Sequence, residues 1–271
     1  MVNRSGRGAF AADATDAAAA RRACEGAAVV FHCANGPYGQ WASTLPAMMD
    51  GIIHGAASAG ASLIYGDNLY AYGPVDGPLT EDLPYRPVGP NTATRAALAT
   101  RLMEAHARGT VRAAIGRASD FFGPDVHLST VGDEVFARAL SSKAARMVGN
   151  PELPHTYTFI DNFAAGLVTL ATHDRALGEI WHVPSAETIT ARAFVELVFK
   201  QLGKPPRLQV VPRVVVSAMA LFVPTMTGVR EVLYQSEHPW VVDHSKFARA
   251  FGATTTPHAD AIARTLAAFR Q

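Results

Sequence analysis

Three polar stretches, each released by an apolar run, hold the residues whose types and spacing suggest chemistry. Ala28–Phe31 opens into His32, Cys33, Ala34, Asn35 and Gly36. Ala61–Tyr65 opens into Gly66, Asp67 and Asn68, and Val111–Gly116 opens into Arg117, Ala118, Ser119 and Asp120. Apolar runs this short suit central strands of a parallel sheet covered on both faces, and such sheets bind small molecules in the crevice beyond their carboxyl ends. Three loops released toward one edge imply one shared site. Each loop taken alone reads equally well as a plain strand-to-helix connection. Asp67 and Asp120 are candidate polar site residues, or else caps or solvated turns. Tyr38, Tyr70, Tyr72 and Tyr85 fall in loops expected near the same edge and could supply hydroxyl donors. Tyr157 and Asp161 read as core filler and a helix cap, and Arg230–Glu231 as a surface ion pair of little consequence.

The elements that must position these loops follow from periodicity. Asp16 is a plausible N-cap for an alanine-rich helix to about Cys24, and a strand follows the Gly26 break. A second helix is expected over Thr44–Ala59, with Leu45, Met48, Met49, Ile52 and Ile53 on a helical period and Gly60 closing it. Ala71–Asn91 is a long Gly- and Pro-rich loop, a kind that is usually functional in a compact domain. Thr92–Ala107 predicts a helix with Leu98, Leu102 and Met103 inward and Arg95, Arg101 and Glu104 partly outward. Alternation of helix and apolar strand is the pattern of a parallel sheet. Beyond Gly123 and Pro124 the rhythm changes. Helices over Val131–Leu140 and Asn162–Thr172, and one capped by Thr190 and running to about Leu202, alternate with strands at Arg146–Val148, His155–Ile160, Glu179–Val183 and Arg207–Val211. Helices near Val214–Phe222 and Val229–Tyr234, a short one after Asp243, and a last one over His258–Phe269 complete a second lobe.

Composition excludes several classes. The 271 residues carry a net charge of +1 with no basic block, which gives nucleic acid and membrane surfaces no support as partners. Two cysteines, Cys24 and Cys33, fit a reducing, cytoplasmic setting, and no His or Cys spacing suggests a metal site. The N-terminus lacks the apolar core of a signal peptide, and the longest apolar run, Val214–Pro224, is too short for a membrane span. A small-molecule substrate is the partner that remains.

Several motifs in order then carry a resemblance. DATD at Asp13–Asp16, VVFHCA at Val29–Ala34, IYGDNLYAYGP at Ile64–Pro74, RASDFFGP at Arg117–Pro124 and YTFIDNFAAGLVTL at Tyr157–Leu170 are joined by WHVP at Trp181–Pro184 and FGATTTP at Phe251–Pro257. Together they resemble the extended short-chain dehydrogenase/reductases, the NAD-dependent epimerase/dehydratase group. The resemblance implies an α/β fold: an incomplete Rossmann-type doubly wound parallel sheet over residues 1–124, with a smaller mixed α/β lobe over 125–271. Strand and helix near 155–172 would return to the core. It implies Asp13 and Ala14 near an adenine, and Cys33, Ala34 and Asn35 near pyrophosphate and ribose. Asp13 could accept from an exocyclic amine, and the small residues allow close backbone approach. For Cys33 a small buried filler is an equal reading.

Two departures from the family pattern bear on function. The glycine-rich strand–turn–helix is absent, and MVNRSG reads as the end of the family's second strand. Asn3 and Arg4 would then meet the adenosine 2′ position, with Arg4 favouring NADP over NAD. Met1 is accordingly expected to be an internal methionine of a longer protein, and the chain as written to bind dinucleotide poorly. In the second departure Asn68 stands for the family's serine or threonine, Asn91 for its tyrosine and Arg95 for its lysine. An asparagine has no proton to exchange near neutral pH, and the charge on Arg95 is fixed. The implied activity is oxidoreductase or epimerase chemistry at a sugar-like or other secondary alcohol. The alternative is a non-catalytic nucleotide-sensing or scaffold protein of the same fold.

Overall fold

The computed structural model describes residues 2–3, 10–220, 222 and 224–270. In chain order the first elements are β1 (Val2–Asn3), β2 (Phe10–Ala11), α1 (Ala17–Cys24), β3 (Val29–His32), α2 (Trp41–Ala59), β4 (Ser62–Asp67), α3 (Pro90–Ala107) and β5 (Arg112–Arg117). There follow β6 (Phe121–Phe122), α4 (Phe136–Leu140), β7 (Ala145–Val148), β8 (Pro154–His155), β9 (Thr158–Phe159), α5 (Ile160–Ala171), β10 (Ile180–His182) and β11 (Ile189–Thr190). The chain ends in α6 (Ala191–Gln201), β12 (Leu208–Val211), α7 (Arg213–Met219), α8 (Pro224–Glu231), α9 (Tyr234–Glu237), α10 (Ser245–Phe251) and α11 (His258–Ala268).

Two compact units share these elements. The first comprises residues 1–72, 85–117 and 167–181. Its sheet has the order β10-β5-β4-β3, with β3, β4 and β5 parallel, which makes it a Rossmann-type core. β1 and β2 form a separate parallel pair. Among the described residues β3 is paired on one side only, and Phe31 stays 44% exposed there. Leu45, Met49, Ile52 and Ala56 of α2 and Leu98, Leu102 and Ala105 of α3 pack with Leu63, Tyr65, Ala113 and Ile115 into one core. Burying aliphatic side chains of this size stabilises by about 1.5–3 kcal/mol each.

The second unit, residues 73–84, 118–166 and 182–271, is a mixed α/β lobe with its own core. Phe122, Phe136, Phe159, Phe194, Phe199, Ile262 and Leu266 are its large members. Short strand pairs, β11 with β8, β12 with β7 and β6 with β9, knit it together.

Local chemistry explains the element ends. Asp16 caps α1 by accepting from the Ala18 and Ala19 amides. Thr190 does the same for α6 through the Ala193 amide. Gly60 ends α2 in the left-handed region at φ +67°, which a residue with a Cβ resists. Several expectations need correction. α2 begins at Trp41 instead of Thr44, and α4 covers only Phe136–Leu140 of the expected ten residues. Asp161 lies inside the first turn of α5 and pairs with Arg264 instead of capping the helix. β4 and β5 run on through Asp67 and Arg117, so these residues are sheet, not loop.

α1 lies tightly against α2 because Gly51 and Gly55 leave room. A Cβ on Gly51 would come within 1.9 Å of the Ala14 carbonyl oxygen, and one on Gly55 within 2.7 Å of that of Ala20. Gly51→Ala gains about 1 kcal/mol of helix propensity but must push the two backbones apart, and overpacking typically costs 1–3 kcal/mol. With backbone atoms at 1.9 Å the cost falls at the upper end, so a net loss of up to about 2 kcal/mol is expected in urea unfolding. Gly39→Ala, where a Cβ meets nothing within 4 Å, should leave stability within about 0.5 kcal/mol. Equal stability of the two variants would refute the tight α1–α2 contact.

Candidate functional site

Strand register assembles the site. His32 on β3 stands beside Tyr65 on β4, and Asp67, two residues further along β4, stands beside Arg117 on β5. Residues two apart on a strand share a face, so Tyr65 and Asp67 project to the same side. Helix α3 brings Arg95 to them. Arg95 Nη1 donates to the Tyr65 hydroxyl at 2.7 Å, and Nη2 donates to Asn35 Oδ1 at 3.1 Å. Nη1 also lies 3.5 Å from Asp67 Oδ1, a long contact. The guanidinium sits over the Trp41 ring, 4.1 Å from its centroid. Arg117 Nε donates to Asp67 Oδ2 at 3.0 Å, and Nη2 to the Tyr85 hydroxyl at 2.9 Å. The Tyr72 and Tyr85 rings flank it, each 4.9 Å from the guanidinium carbon.

The cluster is buried and electrically uneven. Arg117 and Asp67 are fully buried at their side chains, and Arg95 is 6% exposed. Two guanidinium cations thus share one carboxylate. Burial, with help from the Arg95 charge, lowers the His32 pKa to about 3, so its imidazole is neutral. Burial and the Asp67 charge raise the pKa of the Tyr65 phenol, which therefore keeps its proton. Burial opposes the charge on Arg117, but Asp67, Tyr72 and Tyr85 overcome it and hold the group above the ordinary arginine value.

The expected site residues meet different fates. Asn35 and Arg95 come together. Arg95 is buried, not partly outward. Asn91, one helical turn before Arg95 on α3, is buried as well. Asn68 closes a local turn, with its Oδ1 accepting from the Tyr70 amide at 3.0 Å. Asp13 accepts from the Thr15 amide and hydroxyl, and Ala14 is the backbone against which Gly51 packs. Cys33 and Ala34 are exposed, so the buried-filler reading of Cys33 is overturned. Arg4 lies outside the described residues. Among the described residues no three His, Cys, Asp or Glu side chains gather as metal ligands, and no helix is long and apolar enough to cross a membrane.

Sequence reasoning missed His32, Tyr65, Arg117 and their partners as one network. The signal was present: two adjacent strands end on an aspartate and an arginine, with Tyr-x-Asp on one face. It also missed His155 in the second unit. There Asp120 Oδ2 lies 2.9 Å from His155 Nε2, and His155 stacks on Tyr157 at 4.7 Å. Burial and the Asp120 charge raise the Tyr157 pKa.

The fit to a dinucleotide is uneven. The exposed small residues Cys33 and Ala34 leave backbone open to a ribose, with Asn35 and Arg95 beside them. Among the described residues no glycine-rich turn leads a strand into a helix. The first amides of α1, which an anion would need, are taken by Asp16.

A parallel sheet with polar groups at its carboxyl ends is the architecture of dinucleotide-fold proteins. The model of the NAD dependent epimerase/dehydratase family matches residues 3–183, and the chain belongs to that family. Membership supports a general oxidoreductase-like activity on a small molecule. Solved structures of the same fold include a dTDP-glucose 4,6-dehydratase from Streptomyces venezuelae with NAD and DAU bound. It is 19% identical, with TM-score 0.77, over 99% of this chain and 82% of that one. The UDP-glucuronic acid 4-epimerase from Bacillus cereus in complex with NAD is 17% identical, with TM-score 0.75, over 97% and 80%. RMD from Pseudomonas aeruginosa complexed with NADPH is 14% identical, with TM-score 0.76, over 95% and 86%. Among curated proteins no match is found.

The neutral imidazole gives a pH prediction. His32 binds no proton in the fold above about pH 3, whereas the unfolded chain binds one below about 6.5. Stability therefore falls as pH drops from about 6.5 toward 3, by up to about 1.4 kcal/mol per pH unit from this group. His32→Phe should flatten that acid limb in urea unfolding measured at stepped pH. An unchanged slope would show that His32 is protonated in the fold.

Proposed function

We propose that the chain is an epimerase/dehydratase-like oxidoreductase acting at a secondary alcohol or carbonyl of a sugar-like small molecule. The observation that supports this reading is the polar cluster at the ends of β3, β4 and β5, in a chain whose family match spans that whole sheet. NADP, or NAD, would supply hydride exchange at the alcohol carbon. The described residues offer its pyrophosphate little, so weak binding is expected. The protein's own part is orientation: Arg95 presents a fixed cation beside Asn35, and Asn91 stands where a phenol would move a proton. The similar structures, a dTDP-glucose 4,6-dehydratase and a UDP-glucuronic acid 4-epimerase, support a sugar nucleotide as substrate class.

A second reading, a nucleotide-sensing or scaffold protein without hydride chemistry, is favoured by one observation. The amide at position 91 cannot replace a phenol, and the nearby phenols of Tyr65 and Tyr85 are hydrogen-bonded to arginines. Incubation with 4-deuterated NADPH or NADH at high concentration and a panel of keto-sugar nucleotides separates the two. The first reading expects slow deuterium transfer into product, raised about 100-fold or more by Asn91→Tyr with Arg95→Lys, since a positioned acid/base contributes 10²–10⁴. Saturable ligand binding with no transfer in either protein would select the second reading.

A further inference from the structure

The charge in the buried cluster does not close. Asp67 makes its shorter contact with Arg117, at 3.0 Å, and its contact with Arg95 is 3.5 Å. Arg95 is otherwise held by neutral groups, the Tyr65 hydroxyl, Asn35 and the Trp41 ring. His32 is neutral, so among the described residues the cluster holds two cations and one carboxylate, a surplus of one positive charge. An isolated buried charge costs several kcal/mol unless something pairs with it.

Guanidinium geometry shows where the pairing would occur. Nη1 is committed to Tyr65 and Asp67. Nε and Nη2 form the lateral edge of the guanidinium, two parallel N–H donors spaced to match both oxygens of a carboxylate. Nε is buried and has no hydrogen-bond partner among the described residues. Among the described residues Nη2 donates to Asn35 alone, which is exposed and whose amide oxygen also accepts from the Gly36 amide at 3.1 Å. Asn35 is therefore a removable neutral acceptor over a charged, half-empty fork.

We propose that the Nε/Nη2 edge of Arg95 is a carboxylate-binding subsite, entered when the Asn35 side chain swings away, so that the substrate is an acidic secondary alcohol. This deepens the oxidoreductase reading and names its substrate class. The carboxylate replaces the Asn35 oxygen on Nη2, gives Nε its missing acceptor and neutralises the surplus charge. A neutral sugar offers hydroxyls to the same edge but leaves the charge standing.

The test needs neither dinucleotide nor turnover, so its outcome is independent of whether hydride transfer is found. The whole chain is titrated calorimetrically with sodium acetate, with acetamide as the neutral isostere and with inorganic phosphate as a tetrahedral anion, at one ionic strength. Acetate should bind saturably and acetamide should not. Asn35→Ala, which removes the plug and leaves the arginine, should bind acetate several-fold more tightly. Arg95→Gln, if folded by circular dichroism, should lose at least tenfold. The proposal is overturned by equal binding of acetate and acetamide, by phosphate binding tighter than acetate, or by unchanged affinity in Asn35→Ala. The Asn35→Ala arm decides the matter even where Arg95→Gln fails to fold.

Discussion

Among the described residues one carboxylate, Asp67, answers two guanidinium groups in a buried part of the fold, and much of the surrounding architecture follows from that constraint. Arg117 comes from the neighbouring strand and Arg95 from the helix above. Neither cation is stable there without acceptors and ring faces. Tyr72 and Tyr85 enclose one, while Trp41, Tyr65 and Asn35 enclose the other. Aromatic faces over a desolvated guanidinium contribute about 2 kcal/mol or more. The long loop that carries Tyr72 and Tyr85 is thereby tied at both ends to the same arginine. Its Gly and Pro content would otherwise leave it loosely placed.

The same arrangement bears on the proposed chemistry. A tyrosine and lysine one helical turn apart move a proton because the phenol pKa can be lowered by the cation beside it. On the proposed reading Asn91 and Arg95 stand at those two positions, an amide and a cation whose charge does not change. The phenol that does touch Arg95, Tyr65, is buried and its proton is held more tightly than in water. A group of that kind positions and neutralises; it does not shuttle protons near neutral pH. What Arg95 retains is directional positive charge at the carboxyl ends of three parallel strands. The proposed carboxylate subsite rests on that charge.

The sheet was largely legible in the sequence because apolar strands and periodic helices state their own burial: Leu63 and Ile64 on β4, Ala113–Ile115 on β5, and Leu98 and Leu102 on α3. The helix caps Asp16 and Thr190 were legible for the same local reason. Arg95 was not, since periodicity assigns a charged residue to the outward face and only its tertiary partners reverse that. Asp67 and Arg117 were placed in loops because a charge normally ends a buried strand. Pairing across the sheet, which no single strand reveals, allows each to continue it. Asn35 was expected at the site from its place in the family pattern, but its bond to Arg95 joins residues 60 positions apart and no local signal announces it. His155 beside Asp120 was missed for a similar reason, 35 positions separating them.

The claim that Asp67 is the charge on which the cluster depends is tested most directly by a double-mutant cycle in urea unfolding. Asp67→Asn leaves two buried cations without a counter-charge and should cost about 3–5 kcal/mol. Adding Arg117→Met removes one of those cations, so the pair should be coupled by about 2 kcal/mol or more. A near-neutral Asp67→Asn, with effects that add to within about 0.5 kcal/mol, would contradict the account.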